Sequence, residues 1–397
     1  MKKILSVFTL LLVAIAFAQQ RQVQRAAVAF LNVENLWDTI PSADYVDGTL
    51  PTWHKNFHRS VPVDSLKHLS VTEDYKGAWN DSLLIDKKVI RHQVLSEDFT
   101  PKSAKNYTAK IYQHKLETIS KVISELGRQY TNTLPSIVGL IEIENRKVVE
   151  DLVGQSALKG GDYGIIHFNS YDARGIDVAI IYQKKRFIPT NTYKKEVKIF
   201  NDEGKRTYTR DILIAEGLLD GEKIAVFMNH WPSRSGGEAR SLPRRIAAAN
   251  VLKTEMDKIR AKDPNVKLFA MGDFNDDPVD PSLKKHLGAV GEVKQLSEEK
   301  PYYNLMYKHF KAGVASLAYR DAPNLFDQII VSKNLVSDKL TADYRIYKAE
   351  IYAPAYMINR EGQWKGYPKR SWNGDTYTYG YSDHFPAVSV VQREVKK

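Results

Sequence analysis

Five times along this chain, an apolar run of strand length adjoins residues suited to chemistry. Ala26 to Leu31 leads into Asn32 and Glu34, Ile137 to Ile141 into Glu142 and Glu144, and Ile224 to Met228 into His230. Leu268 to Met271 leads into Asp273 and Asn275, and Asp383-His384 stands just ahead of Ala387 to Val391. Unbroken apolar runs of this length mark strands buried on both faces, which need cover above and below. Helical periodicity supplies the cover. Leu116, Ile119, Val122, Ile123 and Leu126 share one helix face with Gly127 as the stop, Arg146 to Leu158 reads as helix, and Pro243 opens another through Ile246, Ala249, Leu252, Met256 and Ile259. Further strands are predicted at Tyr163 to Phe168, Ile176 to Tyr182, Asp211 to Leu219 and Phe326 to Val331, with turns at Glu203-Gly204 and Asp220-Gly221. Hairpins mixed with strand-helix-strand units predict an α/β sandwich of two sheets flanked by helices.

The N-terminus reads differently. Lys2 and Lys3, an apolar run from Ile4 to Ala14 and the pair Ala16 and Ala18 form an export signal, with cleavage expected after Ala18 and a periplasmic or secreted address. That run is shorter than the ~20 residues a bilayer span needs, and no later segment is long and apolar enough. The remainder, 19–397, is expected to form one domain. It carries an insertion at about 41–106, without clean periodicity, whose aromatics Tyr45, Trp53, Phe57, Tyr75, Trp79 and Phe99 argue for packing on the main body, with room for short helices. No cysteine is present, so disulfides, thiolate metal sites and a cysteine nucleophile are excluded. The formal charge of +11 favours polyanionic partners.

Glu142, Asp273 and Asp383, the imidazoles of His230 and His384, and the carboxamides of Asn32 and Asn275 make a set suited to Mg²⁺-assisted phosphoester hydrolysis. Carboxylates hold a hard cation, while Asn and His donors stabilise charge on a phosphoryl group. Each residue alone reads as well as a turn or cap; the conjunction is what points to chemistry. No G-x-S-x-G elbow or phosphate-binding Gly loop offers another route.

At these residues the chain resembles the endonuclease/exonuclease/phosphatase superfamily, which includes deoxyribonuclease I, apurinic endonucleases, neutral sphingomyelinases and inositol-polyphosphate phosphatases. The motifs stand in family order: Phe30-Leu31-Asn32-Val33-Glu34-Asn35, Gly139-Leu140-Ile141-Glu142-Ile143-Glu144-Asn145, Arg174-Gly175-Ile176-Asp177, Asn229-His230-Trp231-Pro232-Ser233, Gly272-Asp273-Phe274-Asn275, Phe326-Asp327-Gln328-Ile329 and Ser382-Asp383-His384. They cover roughly residues 26–40 and 107–391. The resemblance implies a four-layer α/β sandwich with two central, mostly antiparallel sheets. It implies Glu142 and Asp383 at the metal, Mg²⁺ with Mn²⁺ or Ca²⁺ as alternatives, and Asp273 orienting or deprotonating the attacking water. Asn275 and Asn32 would hold the phosphate and metal shell, His384 would contact the scissile phosphate with Asp327 orienting it, and His230 would donate a proton to the leaving oxygen. Arg174 would touch phosphate, and Asp177 would be structural.

The leading expectation is an exported nuclease acting on DNA or RNA. Basic runs at Lys184-Lys185-Arg186, Lys194-Lys195, Lys205-Arg206 and Arg244-Arg245 suit phosphates, as does the segment from Trp364 to Tyr381, where Lys365, Lys369 and Arg370 alternate with Trp372, Tyr377 and Tyr379. A phosphatase or sphingomyelinase-like lipid phosphodiesterase is the alternative within the same chemistry. A catalytically silent binding module is the alternative outside it.

Overall fold

The first long strand, β1 (Gln22–Leu36), alternates its burial between two different cores. Ala26, Val28 and Phe30 face a core shared by two sheets, whereas Ala27, Ala29, Leu31 and Val33 face a helical layer. A strand buried on both faces loses the polar alternation of an edge strand, which is why this run reads as continuously apolar. The computed structural model describes residues 22–39, 98–170, 172, 174–204, 206–319 and 322–395, with strands also at 44–46, 59–60, 79–85 and 88–94. The expected export signal lies outside the described residues, as do the side chains of Tyr45, Trp53, Phe57, Tyr75 and Trp79. The four short strands of the insertion pair as an antiparallel sheet of their own, where short helices had room.

After the insertion come helix α1 (Ala109–Glu125), β2 (Ile137–Ile143), α2 (Arg146–Val153), β3 (Tyr163–His167), β4 (Asp177–Gln183), β5 (Phe187–Lys195), β6 (Ile212–Leu219) and β7 (Glu222–His230). Then follow α3 (Glu238–Lys262), β8 (Lys267–Asp273), β9 (Tyr302–Asn304), β10 (Asp327–Ser332), β11 (Arg345–Ile351) and β12 (Ala387–Val395). One six-stranded sheet has the order β11-β12-β1-β2-β4-β3, and the other β9-β10-β8-β7-β6-β5. Each sheet is antiparallel except for one central parallel pair, β1 with β2 and β7 with β8. Helices α1 and α2 cover the outer face of the first sheet and α3 that of the second, giving the expected four layers.

Local chemistry explains the helix boundaries. The Thr108 hydroxyl accepts from Ile111 N at 3.4 Å to start α1, and Asn145 Oδ1 accepts from Val148 N at 3.1 Å to start α2. Helix α3 starts earlier than expected: Pro243 lies inside it rather than opening it. Gly236 and Gly237, both at positive φ, turn the chain into the helix, and buried Arg245 donates to Glu238 O at 3.1 Å and Ser233 O at 3.4 Å. The first turn is thereby tied down upstream of the proline.

Two glycines let backbones approach where side chains could not. A Cβ on Gly139 would stand 2.1 Å from Met228 Sδ, so β2 crosses the second sheet at close range there. Gly272 is stricter: φ is +148°, and a Cβ would stand 1.9 Å from the Asn229 carbonyl oxygen. Replacing Gly272 with Ala therefore forces apart the parallel pair β7 and β8 immediately before Asp273. We expect Gly272→Ala to destabilise the fold by about 3 kcal/mol or more, read from denaturant midpoints; an unchanged midpoint would refute this account of the strand junction.

Candidate active site

Parallel pairing puts the C-terminal ends of β1 and β2 on one edge, and those of β7 and β8 on the edge beside it. Strands β4, β10 and β12 run antiparallel to their neighbours, so their N-terminal starts reach the same edge. Asn32, Glu142, His230 and Asp273 thus leave strand ends, while Asp327 enters one, directly opposite Asp273. Arg174, Asp383 and His384 lie on the loops that lead into β4 and β12. The backbone is strained here in a way no periodicity announces: Glu34, Asn35, Glu142 and Asn275 all have left-handed φ, between +48° and +64°.

The two sheets meet through their side chains at this edge. His384, from the first sheet, holds Asp327 Oδ2 of the second at 2.7 Å through Nδ1. His230 Nε2, from the second sheet, stands 4.0 Å from Glu142 Oε1 and 3.9 Å from Asp273 Oδ2. Those spacings are too long for hydrogen bonds, so three polar groups converge on one point without satisfying each other. His230 Nδ1 and Asp327 Oδ1 are likewise buried without a hydrogen-bond partner. Asn275 is pinned by two contacts, its N–H donating to Asp273 Oδ1 at 2.8 Å and its Nδ2 to Trp231 O at 2.9 Å.

Electrostatics divide these groups into roles. Burial, with Asp327 and Glu142 close by, pushes Asp273 up to about 7, against the pull of His384 and the Asn275 N–H. Burial opposes the charged form of His384, yet Asp327, Asp383 and Asp273 hold its pKa well above the ordinary histidine value. His230 goes the other way. Burial, reinforced by Arg210, Arg174 and His384, keeps it well below that value and therefore neutral at pH 7.

Three expected residues take unexpected postures. Arg174 braces the Glu142 carboxylate at 3.3 and 3.4 Å and donates to Asn35 Oδ1 at 2.6 Å. Asn32 is buried, its Oδ1 accepting from Glu34 N at 2.9 Å and its carbonyl accepting from the Ser382 hydroxyl at 2.7 Å. Asp383 is partly exposed, with Arg370 Nη2 at 3.4 Å. Asp177 has the structural role expected of it, accepting from Ser170 N at 2.7 Å beside His167 at 3.0 Å.

Sequence reasoning assigned no role to Glu34 or Lys115. The Glu34 carboxylate is buried and accepts from the backbone N–H groups of Ser371 and Trp372, with Arg370 Nε at 3.3 Å. Burial and the nearby Asp383 charge push it up to about 7. Lys115 donates to the Val33 and Glu34 carbonyls and to the Ser371 hydroxyl at 3.0 to 3.1 Å, and burial lowers it to about 8. A lysine four residues before Ile119, on the apolar stripe of α1, was the available signal.

Several members of the basic runs are engaged in internal ion pairs. Arg186 pairs with Asp220 at 2.5 Å and fully buried Arg245 with Asp276 at 2.7 Å, while Lys194 and Lys195 pair with Asp211 and Glu255. Lys205 and the Arg206 side chain lie outside the described residues. Trp372 and Tyr377 are not surface rings either; they pack with Trp37, Phe99 and Tyr107. Phe99 is thus the one insertion aromatic whose described side chain docks as expected.

Residues 75–393 match the family model described as Endonuclease/Exonuclease/phosphatase family. A solved endonuclease/exonuclease/phosphatase family protein from Bacteroides thetaiotaomicron is 13% identical, with TM-score 0.50, covering 95% of this chain and 98% of that one. A mannosyl-6-phosphatase from the same organism is 15% identical, with TM-score 0.45, covering 71% and 93%. Truncated TDP2 of Caenorhabditis elegans is 17% identical, with TM-score 0.42, covering 70% and 90%. No curated protein sequence matches.

The His384–Asp327 contact has a spectroscopic consequence. In Asp327→Asn the imidazolium loses its buried counter-charge, so the His384 resonance should titrate at a lower pH than in the wild type, followed by NMR. An unmoved titration would show that Asp327 does not set the charge of His384.

Proposed function

The chain belongs to the endonuclease/exonuclease/phosphatase family, whose members are phosphoric ester hydrolases, and on that premise we propose that it is a metal-assisted phosphodiesterase, a nuclease acting on DNA or RNA. The observation that carries this reading is the convergence of Glu142, Asp273 and neutral His230 on one point, next to a protonated His384 held by Asp327. A phosphodiester needs such an asymmetric pair. Asp273, once ionised, accepts a proton from attacking water. His384, kept cationic, stabilises negative charge on the phosphoryl oxygens.

Among the described residues, no group of three acidic or imidazole side chains is arranged to hold an ion by itself. Mg²⁺ does not need such a group, because it keeps several waters and takes one or two carboxylates. Glu142 and Asp383 would hold it, with Asn32 in the surrounding shell. Both carboxylates are met instead by half-exposed arginines, Arg174 and Arg370, whose long side chains can turn away. A cation bound there would polarise the phosphoryl oxygens. The donor chemistry fits Mg²⁺, and Mn²⁺ or Ca²⁺ would take the same oxygens.

With Mg²⁺, the protein should degrade plasmid DNA or RNA. Glu142→Ala and His384→Ala should each lose roughly 10²-fold or more in kcat. Activity should rise as pH climbs through about 7, where Asp273 ionises, and fall at alkaline pH, where His384 loses its proton. Turnover of a lipid or sugar phosphate without any nucleic-acid cleavage would replace the nuclease reading with the phosphatase or lipid alternative. Retained ligand binding with no turnover at all would favour a binding module.

Export completes the proposal. Supporting it are the basic start, apolar run and small-residue pair of residues 1–18. N-terminal sequencing of the protein recovered from outside the cytoplasm should begin at Gln19; a retained Met1 would refute cleavage.

A further inference from the structure

The segment between β11 and β12 builds a second recess beside the site. A cleft of about 290 Å³ has Asp383 in its wall, together with Trp364, Tyr367, Lys369, Arg370 and Thr378. Its frame is well tied: Lys369 N donates to Met357 O, Tyr381 N to Lys369 O, and Thr378 N to Ser371 O, all at 2.6 to 2.8 Å. The buried Glu34 carboxylate accepts the Ser371 and Trp372 N–H groups and holds the same strap against β1. Recognition groups on so anchored a strap are positioned before any ligand arrives.

The lining names the occupant's chemistry. Trp364 is 47% exposed although its ring centroid lies 5.5 Å from that of Tyr367, tilted 53° to it, so indole surface beside a second ring is left open. Two cations, Lys369 and Arg370, stand on the same wall, and Arg370 reaches Asp383 at 3.4 Å. An open ring face beside cations suits a base attached to a phosphate. Beside Ala318, Pro368 and the two rings, the wall carries amide, hydroxyl and charged groups from Asn359, Asn373, Thr378 and Lys369, which an acyl chain would leave unpaired. The volume, at the lower end of the roughly 300–1,000 Å³ of small-molecule sites, suits one nucleoside and not a base pair.

We propose that this cleft binds a single unpaired nucleotide of a single-stranded nucleic acid next to the scissile phosphate, with Trp364 stacking on the base and Lys369 and Arg370 meeting its phosphates. The proposal rests on the nuclease reading and narrows its substrate to strands or ends that present an unpaired base.

The test is binding of a labelled hexathymidylate by fluorescence anisotropy in EDTA, with cleavage of the same strand in Mg²⁺ measured in parallel. Trp364→Ala should weaken binding about tenfold or more, the contribution of one stacked base, with Trp364→Phe recovering most of it and a hairpin duplex bound equally by all three proteins. Equal affinity of the Ala variant, no binding by the wild type, or competition by a hexose phosphate as effective as by thymidine monophosphate would overturn the proposal. Cleavage with no Trp364 effect would remove the cleft and keep the nuclease reading. Binding that depends on Trp364 without cleavage would keep the cleft and remove that reading.

Discussion

Two parallel strand pairs, one at the centre of each sheet, decide where everything else in this molecule can be. Parallel strands end on the same edge, so β1 and β2 deliver Asn32 and Glu142 together, and β7 and β8 deliver His230 and Asp273 together. Face-to-face packing then sets the two edges side by side, at a range short enough that Gly139 has no room for a side chain against Met228. The antiparallel neighbours feed their first residues into the same place, which is how Asp327 comes to lie opposite Asp273 and His384 to reach Asp327 across the layers. An edge built this way is paid for in backbone strain, visible as left-handed φ at four non-glycine residues.

Burial sets the chemistry of that edge. Asp273 and His384 lie 4 and 8% exposed, and the low dielectric magnifies each neighbouring charge. The outcome depends on who the neighbour is: Asp327 sustains a cation on His384, whereas burial, reinforced by arginines and by His384 itself, keeps His230 neutral. Some of the chain's positive charge is held in the same fashion, by buried partners such as Asp220 and Asp276. A net charge therefore says less about a binding surface than which cations stand beside the site, Lys369 and Arg370 among them.

The legible and illegible parts of the site differ in kind. Glu142, Asp273 and His384 could be read because each follows or precedes a run whose buried character is local, and local order survives folding. Glu34 stood in a recognised motif, yet its role, anchoring Ser371 and Trp372, joins residues more than 330 positions apart. Lys115 shows the same limit from the other side: its place on an apolar helix stripe was visible, but the carbonyls that receive its ammonium group come from a different strand. Trp372 and Trp364 are eight residues apart and alike in type, and only packing makes one a core ring and the other an open face.

By itself, the sequence determined the alternation of buried strands and amphipathic helices, hence the layered α/β architecture, and it placed polar residues at the strand ends. Those properties follow from periodicity and composition over a few residues, where the hydrophobic effect acts without reference to distant partners. Only the tertiary structure decided which of those polar residues face one another, which basic groups are consumed in internal ion pairs, and which titrate far from their ordinary range. Such properties depend on distances of a few ångströms between segments separated by hundreds of residues, and a charge in a buried site takes its character from whichever group folding brings beside it.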